Sequence, residues 1–245
     1  IWSKKNTSPF NSQIKIFKDK VLLVDSKNSI HCYSVKDGKK IWKFNTDKPL
    51  IKSQKKLSLV VKDNKVIFNN SIGDITAINI SDGKLIWQTP TQSSKIYREA
   101  MFLNSSDLVL KDNSIYYSNN KNEFFSIDTE TGILNWIQKI NSSLRPVSIN
   151  NLIFTITNEG YFVVLNNNGE IIRSTYLLKN IKEKKRKKIK FTGFVLGLKN
   201  IYLSTTTGRL FVIDASTGKL IDVLKIDNEK ISRPSIYKNN LYIAK

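Results

Sequence analysis

His31 and Cys32 are the single histidine and the single cysteine of the 245-residue chain. A lone thiol forms no internal disulfide and no C-x-x-C redox or metal site. A lone imidazole lacks the second ring that most metal sites use, and the sequence holds no clustered ligands, no G-x-S-x-G elbow and no phosphate-binding loop. Carboxylates offer a further chemistry, because an acid or amide stands just ahead of a glycine five times: Asp37, Asp82, Asp128, Asn166 and Asp214. Evenly spread carboxylates of this kind resemble a ligand set. Short polar side chains that accept hydrogen bonds from the following backbone explain them better. The chain therefore offers no catalytic residue, no metal ligand and no cofactor-binding residue.

Basic residues carry the remaining chemistry. Lysine and arginine number 40 against 20 aspartates and glutamates, a formal net charge of +20. Such an excess raises polyanionic partners, whether nucleic acid or anionic lipid. Only six of these residues are arginine, the side chain suited to planar phosphate recognition, and abundant Lys, Asn and Ile together is what an AT-rich genome produces. The densest run is Lys182-Glu183-Lys184-Lys185-Arg186-Lys187-Lys188-Ile189-Lys190. It reads as a solvated, flexible crossover loop, with anionic lipid or an acidic partner as the functional alternative. Nucleic acid is disfavoured, since only Phe191 adjoins the run and single-strand binding wants interleaved aromatics.

The elements that must hold these residues repeat. Glycines 38, 83, 132, 169 and 218 lie 45, 49, 37 and 49 residues apart. Before each runs an apolar segment of the type Ile75-Thr76-Ala77-Ile78-Asn79. After each runs a second, with Trp42, Trp87 and Trp136 four residues past the first three glycines. The fourth and fifth copies have lost the tryptophan. Apolar alternation around Asp-Gly, Thr-Gly or Asn-Gly is a hairpin signature. Another hairpin precedes each copy, for instance residues 13–17 with 21–24 and residues 194–198 with 201–204. Four short strands in 40–50 residues make one propeller blade.

The pattern Ala/Phe-x-x-Ile-Asp-x-x-Thr-Gly-Lys-x-x-Trp resembles the PQQ-type propeller repeat, shared by quinoprotein dehydrogenases and by the BamB-type lipoproteins of outer-membrane β-barrel assembly. The chain is most like the latter. The resemblance implies an all-β propeller of four-stranded antiparallel blades: repeats near 8–47, 48–92, 93–141, 142–180 and 181–228, with a partial blade from 1–7 and 229–245. The two ends either share one split closing blade or belong to a larger ring. Trp2 falls forty residues before Trp42 and reads as the end of an outer strand. In the family the tryptophan packs between blades, so Gly38, Trp42, Gly83, Trp87, Gly132, Trp136, Gly169 and Gly218 are structural, with Trp42, Trp87 and Trp136 largely buried.

The resemblance further implies a non-catalytic scaffold that binds protein partners of the barrel-assembly machinery, in the periplasm at the outer membrane. A quinoprotein dehydrogenase would add a catalytic Asp, a calcium site and often a Cys pair, which a single cysteine cannot make. No segment is apolar for the ~18–20 residues a membrane helix needs. The start Ile1-Trp2-Ser3-Lys4-Lys5 carries no leader, so a leader has been removed or the sequence begins inside a longer one. Five N-x-S/T triplets are chance in so Asn-rich a chain. Binding hot spots favour aromatics and arginine, which selects Tyr97 and Arg98 in the crossover of residues 92–101, Arg145 and Arg233 ahead of prolines, and the basic loop Lys184, Lys185, Arg186, Lys187 and Lys188. Arg145 and Arg233 either point toward the central axis or are buried against a carboxylate.

Overall fold

The computed structural model describes residues 2–47, 56–91 and 103–245. Its strands form antiparallel sheets in which each strand pairs with its sequence neighbour. The first sheet runs β1 (Lys15–Phe17), β2 (Lys20–Val24), β3 (Ser29–Ser34), β4 (Lys40–Asn45). The second runs β5 (Leu59–Lys62), β6 (Lys65–Asn69), β7 (Ile75–Asn79), β8 (Leu85–Thr89), and the third β9 (Val109–Lys111), β10 (Ser114–Asn119), β11 (Glu123–Asp128), β12 (Leu134–Gln138). The fourth is β13 (Val147–Ile149), β14 (Leu152–Ile156), β15 (Tyr161–Asn166), β16 (Ile171–Tyr176). The fifth is β17 (Phe191–Leu196), β18 (Asn200–Thr205), β19 (Arg209–Asp214), β20 (Leu220–Lys225). A hairpin of β21 (Ser235–Tyr237) and β22 (Asn240–Tyr242) follows, and the one helix among the described residues is the single turn α1 (Glu183–Arg186).

Burial follows position in the sheet. The second and third strands of a sheet read as nearly continuous buried runs, such as Leu22-Leu23-Val24 and Phe162-Val163-Val164-Leu165. Covered on both faces, they need no polar alternation. The fourth strands alternate half-buried and exposed positions, as an outer strand with one wet face should.

The chain divides into two compact units: residues 1–116 with 127–135, and residues 117–126 with 136–245. In the first, Leu22, Val24, Ile30 and Cys32 of the first sheet pack with Leu59, Val66, Phe68 and Ile78 of the second. In the second, Phe154, Ile156, Phe162 and Val164 pack with Phe194, Leu203, Phe211 and Ile213. The Phe154 and Phe162 rings stack at 6.0 Å between centroids.

A bulge recurs where the third strand meets the fourth. Cys32 faces Trp42 while the next residue, Tyr33, faces Lys40, which leaves Ile41 unpaired. Ile86, Ile172 and Ile221 are skipped in the same way. A bulge adds one residue to one strand and sharpens the local twist. The skipped residue stands next to the tryptophan position each time, and each skipped isoleucine is exposed.

Candidate functional site

The five turn glycines all have positive φ, between 67° and 83°. Four of them also lie against an indole from the preceding repeat. A Cβ on Gly38 would stand 2.5 Å from Trp2, one on Gly83 2.7 Å from Trp42, and one on Gly132 or Gly169 2.6 Å from Trp87 or Trp136. Each indole N–H donates to a backbone carbonyl of the same turn: Trp2 to Val35 at 2.7 Å, Trp42 to Ile80 at 2.8 Å, Trp87 to Thr129 at 3.1 Å, and Trp136 to Asn167 at 2.8 Å. Only glycine fits both the left-handed backbone and the ring lying on it. At Gly218 the place of the lost tryptophan is taken by Thr175, Phe162 and Arg173. The expectation of deep burial is corrected in part. Trp87 is buried, but Trp42 and Trp136 are half-buried, because their outer strands leave one face of the ring in water; Trp2, expected to end an outer strand, lies outside any strand and is exposed.

The turn carboxylates are engaged by their own turns. Asp128 Oδ1 accepts the Glu130 and Thr131 N–H groups and the Thr131 hydroxyl. Asp214 Oδ1 does the same with Thr217 and the Ser216 hydroxyl, and these bonds hold its carboxyl down at about 2. Asn166 Oδ1 accepts from Asn168 and Glu170. Asp37 and Asp82 stand later in the turn, directly before the glycine, and each caps one N–H, of Lys39 and of Lys84. Among the described residues no group of three His, Cys, Asp or Glu side chains is placed to hold a metal ion. Carboxylates so spread and so engaged do not fit the calcium-and-quinone site of a dehydrogenase.

His31 does find an acid. Its Nε2 lies 2.9 Å from Asp25 Oδ2, the Tyr33 hydroxyl lies 3.3 Å from its Nδ1, and the Phe10 ring meets it edge-on. A hydroxyl on one nitrogen and a carboxylate on the other assign the proton to Nε2. Both partners are almost fully buried, at 1% and 2% exposure. Cys32, equally buried, has its thiol pushed up to about 11 by desolvation, which leaves it inert.

The expected contact residues are scattered. Tyr97 and Arg98 lie outside the described residues. Arg145 and Arg233 are exposed, so burial against a carboxylate is corrected for both; Pro146 and Pro234 are the buried residues there. The Arg233 stem covers Gly193, and its Nε donates to the Phe194 carbonyl at 2.9 Å. The basic segment is not a bare loop. Lys182 to Lys188 wind through α1, where Lys187 pairs with Glu183 at 3.1 Å. Lysine, glutamate and arginine are good helix formers, and an i,i+4 pair supports even one turn. Lys184, Lys185, Lys187 and Lys188 are exposed, whereas Arg186 folds back onto the backbone carbonyls of Lys179 and Ile181.

Two features escape the glycine alignment. A cap recurs at the turn between the second and third strands. Asp25, Asn70 and Asn119 accept backbone N–H groups within the turn, and Thr157 and Thr205 accept that of the residue four positions on. Their spacing tracks that of the glycines, and this is the signal that marks them. In the second unit a groove of about 740 Å³ is lined by Ile149, Leu152, Leu196, Leu198 and Ile236, with Leu198 fully exposed on its rim. No local pattern marks that groove, because it joins residues of separate hairpins.

Comparison with known proteins agrees with this architecture. No curated protein sequence matches the chain. The fold is similar to that in the crystal structure of BamB from Moraxella catarrhalis, with a TM-score of 0.78 over 98% of this chain and 71% of that one, at 16% identity. The sheets are thus blades of a β-propeller. A family model described as outer membrane protein assembly factor BamB matches residues 1–175. The chain belongs to the BamB family of β-propellers.

Proposed function

We propose that the protein is a non-catalytic scaffold that binds protein partners in the assembly of outer-membrane β-barrels, on the periplasmic side of the outer membrane. The family match over residues 1–175 carries this reading. The way the repeats spend their side chains supports it: the tryptophans and glycines join blades, and the turn carboxylates brace their own turns. No helix among the described residues is long and apolar enough to cross a membrane. Partner contact is proposed for Tyr97 and Arg98.

Immobilised protein incubated with detergent-solubilised outer membranes is expected to retain named components of the barrel-assembly machinery, identified by mass spectrometry. Tyr97→Ala with Arg98→Glu weakens that capture. Failure of the unaltered chain to retain any such component removes the scaffold reading, and dye reduction on addition of pyrroloquinoline quinone with Ca²⁺ replaces it with an enzymatic one.

A further inference from the structure

Between β16 and β17 the chain carries Lys179, Lys182, Lys184, Lys185, Lys187, Lys188 and Lys190, all exposed, with Glu183 the one acid among residues 179–190. The segment is anchored at several points. Leu177 and Leu178 are buried, and Ile181 and Ile189 pack against the apolar core of the second unit. Leu178 lies over Gly160, where a Cβ would stand 3.0 Å from it. The Leu177 N–H donates to the Gly160 carbonyl. At the far end, the Thr206 N–H donates to the Lys190 carbonyl at 2.8 Å, and the Lys190 N–H to the Thr206 hydroxyl at 3.2 Å. Inside, Arg186 donates to the Lys179 carbonyl at 2.7 Å and to the Ile181 carbonyl, and its guanidinium sits over the Tyr176 ring. The apolar residues face inward and the lysines outward, on a platform closed by the one arginine.

We propose that this platform binds the surface of an anionic phospholipid bilayer. The chemistry displayed is that of flexible point charges. Lysine ammonium groups suit a diffuse negative surface and lack the planar fork that reads a single phosphate or carboxylate. The side chain that has the fork, Arg186, is used within the segment. A protein interface of stable kind wants apolar or aromatic anchors at its centre, and here Ile181, Ile189 and Tyr176 are turned inward or covered. A membrane surface asks for neither. This inference stands apart from the assembly role and needs no partner protein.

The test uses the purified chain in sedimentation with vesicles of phosphatidylethanolamine and phosphatidylglycerol, beside vesicles of phosphatidylcholine alone. Near an anionic surface each lysine contributes roughly fivefold in affinity. Replacing Lys184, Lys185, Lys187 and Lys188 by Gln should therefore weaken binding by at least about a hundredfold, while the same four changed to Arg bind as before. Gln at Lys39, Lys40 and Lys43, exposed on another repeat, should leave binding within a fewfold of the unaltered chain. Binding should also fall steeply with added salt. Circular dichroism checks that each variant keeps its strands. Equal binding to neutral vesicles, no loss in the Gln platform variant, or an equal loss in the control variant overturns the proposal. So does a platform-dependent preference for RNA over the anionic vesicles, which assigns the lysines to nucleic acid.

Discussion

The indole of Trp87 lies so close on Gly132 that a Cβ there would stand 2.6 Å from Cδ2 and Cε3 of the ring, while the indole N–H holds the Thr129 carbonyl at 3.1 Å. The two residues make one joint between successive repeats. Gly132→Ala must therefore bear a left-handed backbone, about 1–2 kcal/mol, and a ring that is buried and cannot swing away, about 1–3 kcal/mol. Trp87→Ala alone should cost about 3–5 kcal/mol. With the ring gone the added methyl has room, so the double variant should lose less than the sum of the two, by about 1–3 kcal/mol. Urea titration of the four proteins measures the coupling. Strict additivity would show that the joint is not the source of the cost.

The fold was legible because the joint imposes its own spacing. A glycine is needed wherever an indole meets a left-handed turn, so Gly38, Gly83, Gly132 and Gly169 mark the repeat even where flanking residues drift. Ile41, Ile86, Ile172 and Ile221 were illegible as bulge residues, since an extra isoleucine in an apolar strand looks like any other. The α1 turn was hidden for another reason: a run of lysines carries no apolar period. The acid partner of His31 is visible only once β2 and β3 pair, because Asp25 closes the turn between them. The groove around Leu198 joins hairpins far apart in the chain, and no local signal reports such a meeting.

The tryptophans should differ in access to solvent. Trp2 is 37% exposed and Trp87 8%. A variant keeping only Trp87, with Phe at the other three positions, should emit further to the blue and be quenched by acrylamide much less than a variant keeping only Trp2. Equal quenching constants for the two single-tryptophan proteins would contradict the burial described.

His31 predicts a pH response. Burial lowers its basicity, and the opposing pull of Asp25 does not restore it, so the folded ring stays neutral below its ordinary value of 6.5. The unfolded chain takes up that proton and the folded one does not. Stability contributed by His31 is therefore present at neutral pH and declines as pH falls below about 6.5. Asp25 acts lower on the scale. Burial pushes its carboxyl up, but hydrogen bonds from His31 and from the Ser29 and Lys27 N–H groups outweigh that and hold it below 3.8. Its contribution is present above that value and is lost as pH falls through the folded one. His31→Gln should flatten melting temperature against pH just below about 6.5 and leave the more acidic decline. Parallel curves for the variant and the unaltered protein would locate the pH response elsewhere.

The caps between second and third strands give the last prediction, and the choice of Asn or Asp among them follows from the residue four positions on. Asp25 is followed by Ser29 and accepts its N–H at 3.0 Å. Asn70 accepts the Asp74 N–H at 2.9 Å and the Ile72 N–H at 3.1 Å, and turns its amide toward the Asp74 carboxylate. Asn119 likewise donates to Glu123 Oε2 at 2.8 Å. Where an acid follows, the cap is an amide, because a second carboxylate there would face a like charge. Asn70 is 1% exposed, so Asn70→Ala orphans the Ile72 and Asp74 N–H groups, of which the Asp74 bond is buried. A loss of about 2–4 kcal/mol is expected. Asn166→Ala removes two similar bonds, both accepted by Oδ1, at an exposed turn where water replaces them, and should cost under about 1 kcal/mol. Asn70→Asp keeps an acceptor for both N–H groups but sets its carboxylate against Asp74, which forces one of the two to hold a proton more tightly. That variant should be less stable than the unaltered protein at neutral pH and should recover as pH falls toward 5, opposite in direction to the His31 response. Thermal melts at pH 7 and pH 5 decide it: an Asn70→Asp variant whose deficit does not shrink on acidification would refute the charge rule for these caps.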